Sequence, residues 1–261
     1  MHADEAQDIH RFLSAGDWFG GLPTNLRELI LSRSVVRRFA KGQVISPEDS
    51  VPKGLYAVLD GSVYFVREIG GGEEALIHVG EPGFWFGELA NLTGNPTAAT
   101  YLAHTPVRAL FLSKAQFDRI LAEDARHYQC FARLALQRYG VLIRWFVQIR
   151  DLTAEARVRG RLASMANLRR QEQSEPGAVS LAVSQVDLAR LVGVSRQTLN
   201  AILGKLHQAG LIELGFRRIR VRDAALLADP DAAGAAPAQE FPNSQRGVLR
   251  EPLRASGERF D

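Results

Sequence analysis

Cysteine is nearly missing from these 261 residues, with Cys130 alone. One sulfur excludes a disulfide within the chain and a four-cysteine iron–sulfur site. Long apolar runs are missing too: even GVLIRWFVQI is broken by Arg144 and Gln148, well short of the roughly 20 residues a membrane helix needs. The opening MHADEAQDIHRFL is acidic, with no basic leader region and no apolar run, so it does not read as a secretory signal. A cytoplasmic protein with no membrane partner is expected. There is no metal-ligand cluster, no nucleophile paired with a base and no glycine-rich loop running into a helix, so an enzyme is not expected. The triple glycine Gly70-Gly71-Gly72 sits between two strand candidates and reads as a hairpin tip.

What is present is enough apolar residue, 46%, to build real cores, and a charge distribution that is uneven. From Ala154 to Arg222 there are twelve Arg or Lys against five Asp or Glu, a balance of +7; the whole chain carries +3, so the rest carries −4. A basic segment on an otherwise slightly acidic chain points to a local polyanion partner.

Residues 40 to 113 alternate at period two between glycine-bearing turns, as in GLYAVLDGSVYFVREI and EEALIHVG, which predicts a small antiparallel barrel or roll. From Ser113 the period changes to that of one or two helices without proline. Tyr128, Phe131, Ala135, Leu142, Trp145, Ile149 and Leu152 form a stripe interrupted by Arg138, and its length suggests a self-associating dimer helix. Beyond about Pro230 the chain is rich in Ala, Pro and Gly and lacks periodicity, as a flexible tail would. The fold class expected is α+β, with an antiparallel β-roll at 18–115, a connecting dimerisation helix at 116–153, a winged helix-turn-helix at 154–229 and a tail at 230–261.

The segment SQVDLARLVGVSRQTLNAILGKLHQAGLI has the order of a helix-turn-helix. Ser184 caps a helix with Asp187 three residues on, Ala189 is small where two helices cross, and Gly193 permits the tight turn. Ser195 caps a second helix that turns Leu199, Ile202, Leu203 and Leu206 inward, leaving Arg196, Gln197, Asn200 and Lys205 for solvent or DNA, with the Thr198 hydroxyl able to face phosphate. Arginine pairs best with guanine and glutamine with adenine. LIELGFRRIRVRD then reads as two short strands carrying Arg217, Arg218, Arg220 and Arg222, a basic wing suited to phosphate contact.

Together, LYAVLDGSV, the FGELA cassette, the long helix and VGVSRQTLNAIL resemble the cyclic AMP receptor protein and fumarate–nitrate regulator (Crp/Fnr) family of bacterial transcription factors, over about residues 18 to 229. The resemblance implies a homodimer that binds a two-fold symmetric double-stranded DNA site and acts on RNA polymerase. An alternative is a ligand-binding signalling module whose basic half contacts a protein. Relative to the cyclic AMP receptor protein, Arg196 is retained, Gln197 stands for a glutamate and Ala201 for a second arginine, so another base preference is expected.

In the nucleotide-binding members, the family implies that residues matching Gly87 and Glu88 line the pocket, that Glu88 meets the ribose, and that the amides near Leu89 and Ala90 face the cyclic phosphate. The last contact is an arginine in a Pro-Arg-Ala-Ala-Thr pattern, but here the run is Pro96-Thr97-Ala98-Ala99-Thr100. Losing a charge-assisted bond to a buried anion costs about 2–5 kcal/mol. The stretch IRWFVQI also lacks the hydroxyls that such members place near adenine. No cofactor and independence from cyclic AMP are therefore expected, with a cyclic-nucleotide-responsive regulator as the alternative. The cassette is left as a relic, as a pocket for another ligand with Arg144 or His78 supplying polarity, or as a haem site at His78.

Overall fold

The computed structural model of the chain describes residues 3–70, 73–151, 153–173, 178–215, 218–222 and 224–227. Three helices open it: α1 (Ala3–Ser14), α2 (Asp17–Gly20) and α3 (Thr24–Ser32). The strands β1 (Val35–Phe39), β2 (Val44–Ser46), β3 (Gly54–Asp60), β4 (Val63–Gly70), β5 (Glu73–Gly80) and β6 (Trp85–Phe86) lead to the short helix α4 (Glu88–Thr93). After β7 (Thr100–Ala103) and β8 (Val107–Ser113) come α5 (Lys114–Glu123), α6 (Arg126–Asp151) and α7 (Ala154–Gln173). The remainder is β9 (Val179–Leu181), α8 (Gln185–Val192), α9 (Arg196–Gln208), β10 (Ile212–Gly215), β11 (Arg218–Val221) and α10 (Ala224–Leu227).

The first eight strands form two antiparallel four-stranded sheets, ordered β1-β8-β3-β6 and β2-β7-β4-β5. This is the expected roll, and β3 shows why its alternation is incomplete. Tyr56 and Val58 face the roll interior, while Leu55, Ala57 and Leu59 meet a second core built from Leu26, Ile30, Trp85 and Phe117. A strand covered on both faces loses its polar alternation. The cover comes partly from α1 to α3, which the period-two reading did not foresee; Ile9 and Leu13, four residues apart on α1, are both buried there.

The segment read as one or two helices forms two, α5 and α6. Asp124 is extended at φ −153°, and its Oδ1 accepts the Arg126 backbone N–H at 2.8 Å, so α6 starts afresh after α5. Phe117 and Ile120 of α5 and Phe131 and Leu134 of α6 are all buried in the same core as Trp85. The expected stripe is corrected accordingly: Phe131 packs on its own roll. Among the described side chains of α6, the large apolar ones turned to solvent are Tyr128, Leu136, Tyr139 and Ile143. The side chains of Leu142, Arg144, Trp145, Ile149 and Leu152 lie outside the description, as do Gly71, Gly72, Arg217 and the tail from 230 on.

The carboxy-terminal half carries a three-stranded sheet ordered β10-β11-β9 beside α7 to α9. Its core, with Leu162, Leu188, Leu199 and Ile219, is continuous with Val66, Leu76 and Val79 of the roll. The two halves therefore share buried surface along β4 and β5.

Candidate nucleic-acid interface and effector cassette

The helix-turn-helix forms as its sequence requires. Ser184 caps α8 by accepting from the Asp187 backbone N–H at 3.1 Å, and Ser195 caps α9 by accepting from the Thr198 N–H at 3.0 Å. Between them Gly193 takes φ +69°, a left-handed value that closes the turn at little cost only for glycine. Ala189, Leu199, Ile202, Leu203 and Leu206 are buried. Ser195, Arg196, Gln197, Thr198, Asn200 and Lys205 are all exposed, along one face and the amino-terminal turn of α9. In the wing, β10 and β11 pair with Gly215 opposite Arg218. Arg218 is exposed on β11, whereas Arg217 is outside the described residues. Arg220 and Arg222 also reach Glu213, at 3.4 and 3.1 Å, which lowers the Glu213 carboxyl pKa.

In the roll's cassette, Glu88 and Thr97 are both bonded to other groups of the chain. Gly87 is forced to be glycine by geometry: φ is +97°, and a Cβ there would lie 2.5 Å from the Gly54 carbonyl oxygen. Glu88, buried, accepts from Arg138 Nη1 of α6 at 2.5 Å, and Arg138 also donates to the Trp85 carbonyl. The Arg138 guanidinium sits 4.2 Å from the centroid of the Phe84 ring, a cation–π contact that adds to the pairing. In the sequence Arg138 registered only as a break in an apolar stripe. That polar interruption was the signal of a buried partner.

Thr97 is buried, and its hydroxyl donates to the Pro47 carbonyl at 2.6 Å and lies 3.1 Å from Ser50 Oγ. The Ser50 backbone N–H donates to the same oxygen at 3.2 Å. Thr97 therefore tethers the 47–50 turn of the roll. Leu89 and Ala98, expected beside it in a pocket, are exposed. The roll interior is packed with aromatic rings: Phe86 stacks on Tyr56 at 4.9 Å and meets Phe65 edge-on at 5.5 Å and Tyr101 at 5.1 Å. Burial pushes the Tyr56 and Tyr101 hydroxyls up to about 12. His78 leans on Phe84 at 4.6 Å, and burial, aided by Arg161 and Arg138, holds its pKa well below the ordinary value, so the ring is neutral. Cys130 is half-buried against the core, and burial raises its thiol pKa. Among the described residues no group of three or more His, Cys, Asp or Glu is placed to hold a metal ion. No described helix is long and apolar enough to cross a membrane.

Comparison with known proteins agrees with this architecture in both halves. The cyclic nucleotide-binding domain family matches residues 36–124, and the Crp-like helix-turn-helix domain family matches residues 156–229. The chain belongs to the Crp/Fnr family of transcription regulators. It is 28% identical over 210 residues to the cyclic AMP receptor protein of Thermus thermophilus, covering 80% of this chain and 94% of that one. It is 27% identical over 192 residues to a CRP-like cAMP-activated global transcriptional regulator of Mycobacterium tuberculosis, covering 73% and 85%. The structure of FixK2 from Bradyrhizobium japonicum shares the fold, with TM-score 0.61 and 21% identity over 74% of this chain and 95% of that chain. This Crp/Fnr chain is thus a transcription regulator with a helix-turn-helix DNA-binding domain, in a family of regulators rather than enzymes.

Several polar contacts between the halves were not legible from any local motif. Tyr64 Oη donates to Asp187 Oδ2 at 2.5 Å, and the buried Arg161 donates to the Ile77 carbonyl at 2.9 Å. Glu81 of the roll accepts from the Ala182 backbone N–H at 2.8 Å and lies 3.8 Å from Arg169, which donates to the Pro82 carbonyl. These contacts join the roll to the DNA-binding half.

Proposed function

We propose that this protein is a sequence-specific, homodimeric DNA-binding regulator whose DNA binding does not depend on cyclic AMP. Its partners are double-stranded DNA, a second copy of itself and RNA polymerase, in the cytoplasm. Arg196 and Gln197 read base edges from the start of α9, while Ser195, Thr198, Asn200, Lys205, Arg217 and Arg218 position the helix against phosphates and neighbouring bases. The exposed apolar row Tyr128, Leu136, Tyr139 and Ile143 supports pairing of two copies through α6.

The observation that carries the reading is the engagement of the cassette by its own chain. The carboxylate that would meet a ribose is paired with Arg138, and the residue at the arginine position ties down a turn through its hydroxyl. A nucleotide would have to displace a near-buried ion pair without gaining the usual cation for its phosphate. The test is retention of genomic fragments by the purified protein at fixed salt, with and without cyclic AMP. Selective retention in both conditions is expected; selectivity that appears only with cyclic AMP overturns the reading.

A further inference from the structure

A cavity of about 360 Å³ lies where the roll meets the DNA-binding half, away from the cassette. One wall is the Asp60–Ser62 turn after β3 with Glu81, Pro82 and Thr105; the other is Arg169 and Arg170 at the end of α7, Ser180 on β9 and Arg218 on β11. We propose that this cleft is an effector site for a small phosphomonoester, such as a nucleoside or sugar monophosphate. The proposal deepens the reading of the chain as a regulator without cyclic AMP, and rests on it.

Charge and size both bear on the ligand class. Three guanidinium groups line the cleft against two carboxylates, Asp60 and Glu81. The Asp60 carboxylate accepts from the Gly61 backbone N–H at 2.9 Å, and Glu81 is held by the Ala182 N–H and Arg169. Three guanidinium groups against two carboxylates leave the lining one positive charge in excess. Guanidinium groups match phosphate oxygens in geometry as well as charge. The hydroxyls of Ser62, Thr105 and Ser180 supply further polar partners. The volume lies in the range of ligand pockets, roughly 300–1,000 Å³, at the end suited to a monophosphate. A dianionic monoester draws more from such a wall than the monoanionic diester of a cyclic nucleotide.

Location makes the cleft an effector site rather than a passive one. Its walls come from both halves, so a ligand that touches both binds the docked arrangement better than any undocked one. Only such differential affinity shifts a conformational equilibrium. Filling the cleft would fix the angle at which α9 is presented to DNA.

The experiment is calorimetric titration of the full chain, without DNA and at constant ionic strength, with inorganic phosphate, 5′-AMP, ribose 5-phosphate, cyclic AMP and citrate. Arg170→Gln removes one guanidinium, Ser180→Phe fills the cleft without changing charge, and Arg196→Ala alters the DNA-facing helix outside it. Saturable binding of a phosphomonoester is expected, weakened at least tenfold by each cleft variant and unchanged by Arg196→Ala. Three results overturn the proposal: no saturable binding of any monoester; citrate binding as tightly, or cyclic AMP binding as tightly in a way that Ser180→Phe abolishes; or monoester binding kept in Ser180→Phe, which puts the anion outside the cleft. Cyclic AMP binding that survives Ser180→Phe instead places that nucleotide elsewhere and counts against the proposed function alone. Because DNA is absent, failure here is separate from failure of the DNA-binding reading, which the fragment-retention experiment tests.

Discussion

The Tyr64 hydroxyl donates to the Asp187 carboxylate at 2.5 Å, linking a strand of the roll to the first helix of the helix-turn-helix. Asp187 also accepts from the Ser184 hydroxyl, and its backbone N–H caps α8 through the same serine. One residue thus serves helix initiation and the attachment of one half to the other. Tyr64 is itself held by stacking on His104, with ring centroids 3.9 Å apart.

Tyr64→Phe keeps the ring and removes the donor. Hydrogen bonds to charged groups contribute about 1.5–3 kcal/mol, so a loss of that order in urea-unfolding stability is expected. Limited proteolysis should show faster cutting between the halves. An unchanged cleavage pattern would mean that the apolar seam and the Arg161, Glu81 and Arg169 contacts hold them without Tyr64.

Glu81 gives a pH signature. Burial raises its carboxyl pKa above 4.5, with Arg169 and the Ala182 N–H opposing only in part. A carboxyl whose pKa is raised on folding stabilises the fold below its unfolded pKa, and that contribution is lost as pH rises through the folded value. Glu81→Gln keeps an acceptor for Ala182 and removes the titration. Its Tm relative to the parent chain should therefore rise with pH from about 4.5 upward, and a parallel pair of Tm-against-pH curves would contradict this.

Arg138→Ala leaves Glu88 buried beside an empty place. Breaking a buried pair on one side costs about 3–5 kcal/mol, reduced here because Arg138 keeps 21% of its side chain exposed. Arg138→Ala with Glu88→Gln should recover much of that loss in chemical denaturation. Thr97→Arg alone should not create micromolar cyclic AMP binding by calorimetry, since Glu88 remains engaged by Arg138 and the turn at Ser50 loses its tether.

Arg196→Ala should flatten discrimination between a selected site and random DNA by about 1–3 kcal/mol, read by competition binding. Nonspecific binding should survive and keep its steep salt dependence. Retained discrimination would move the reading residue elsewhere on α9.

Leu136→Glu with Tyr139→Glu puts charge into the exposed row of α6. Sedimentation of the variant should show a monomer where the parent chain sediments as a dimer.

The local chemistry was legible in the sequence wherever neighbours along the chain decide it. Ser184, Gly193 and Ser195 set helix ends through bonds spanning three or four residues, and the inward Leu and Ile of α9 follow the helical period. The roll was legible from alternation and glycine-bearing turns, and Thr97 marked a changed cassette in the sequence itself. What Thr97 does instead was decided by tertiary structure, because its partners Pro47 and Ser50 are some fifty residues away. Arg138 and Glu88 are separated by 50 positions, and Tyr64 and Asp187 by 123. Short-range periodicity carries no information about such pairs; only burial of both partners in one place makes leaving either unpaired costly. The sequence by itself determined a DNA-reading helix on a roll with an altered pocket. The tertiary structure decided that Glu88 of the cassette pairs with an arginine from α6, that Phe131 is buried in the core shared with Trp85, and that a cleft lined by three arginines opens where the two halves meet.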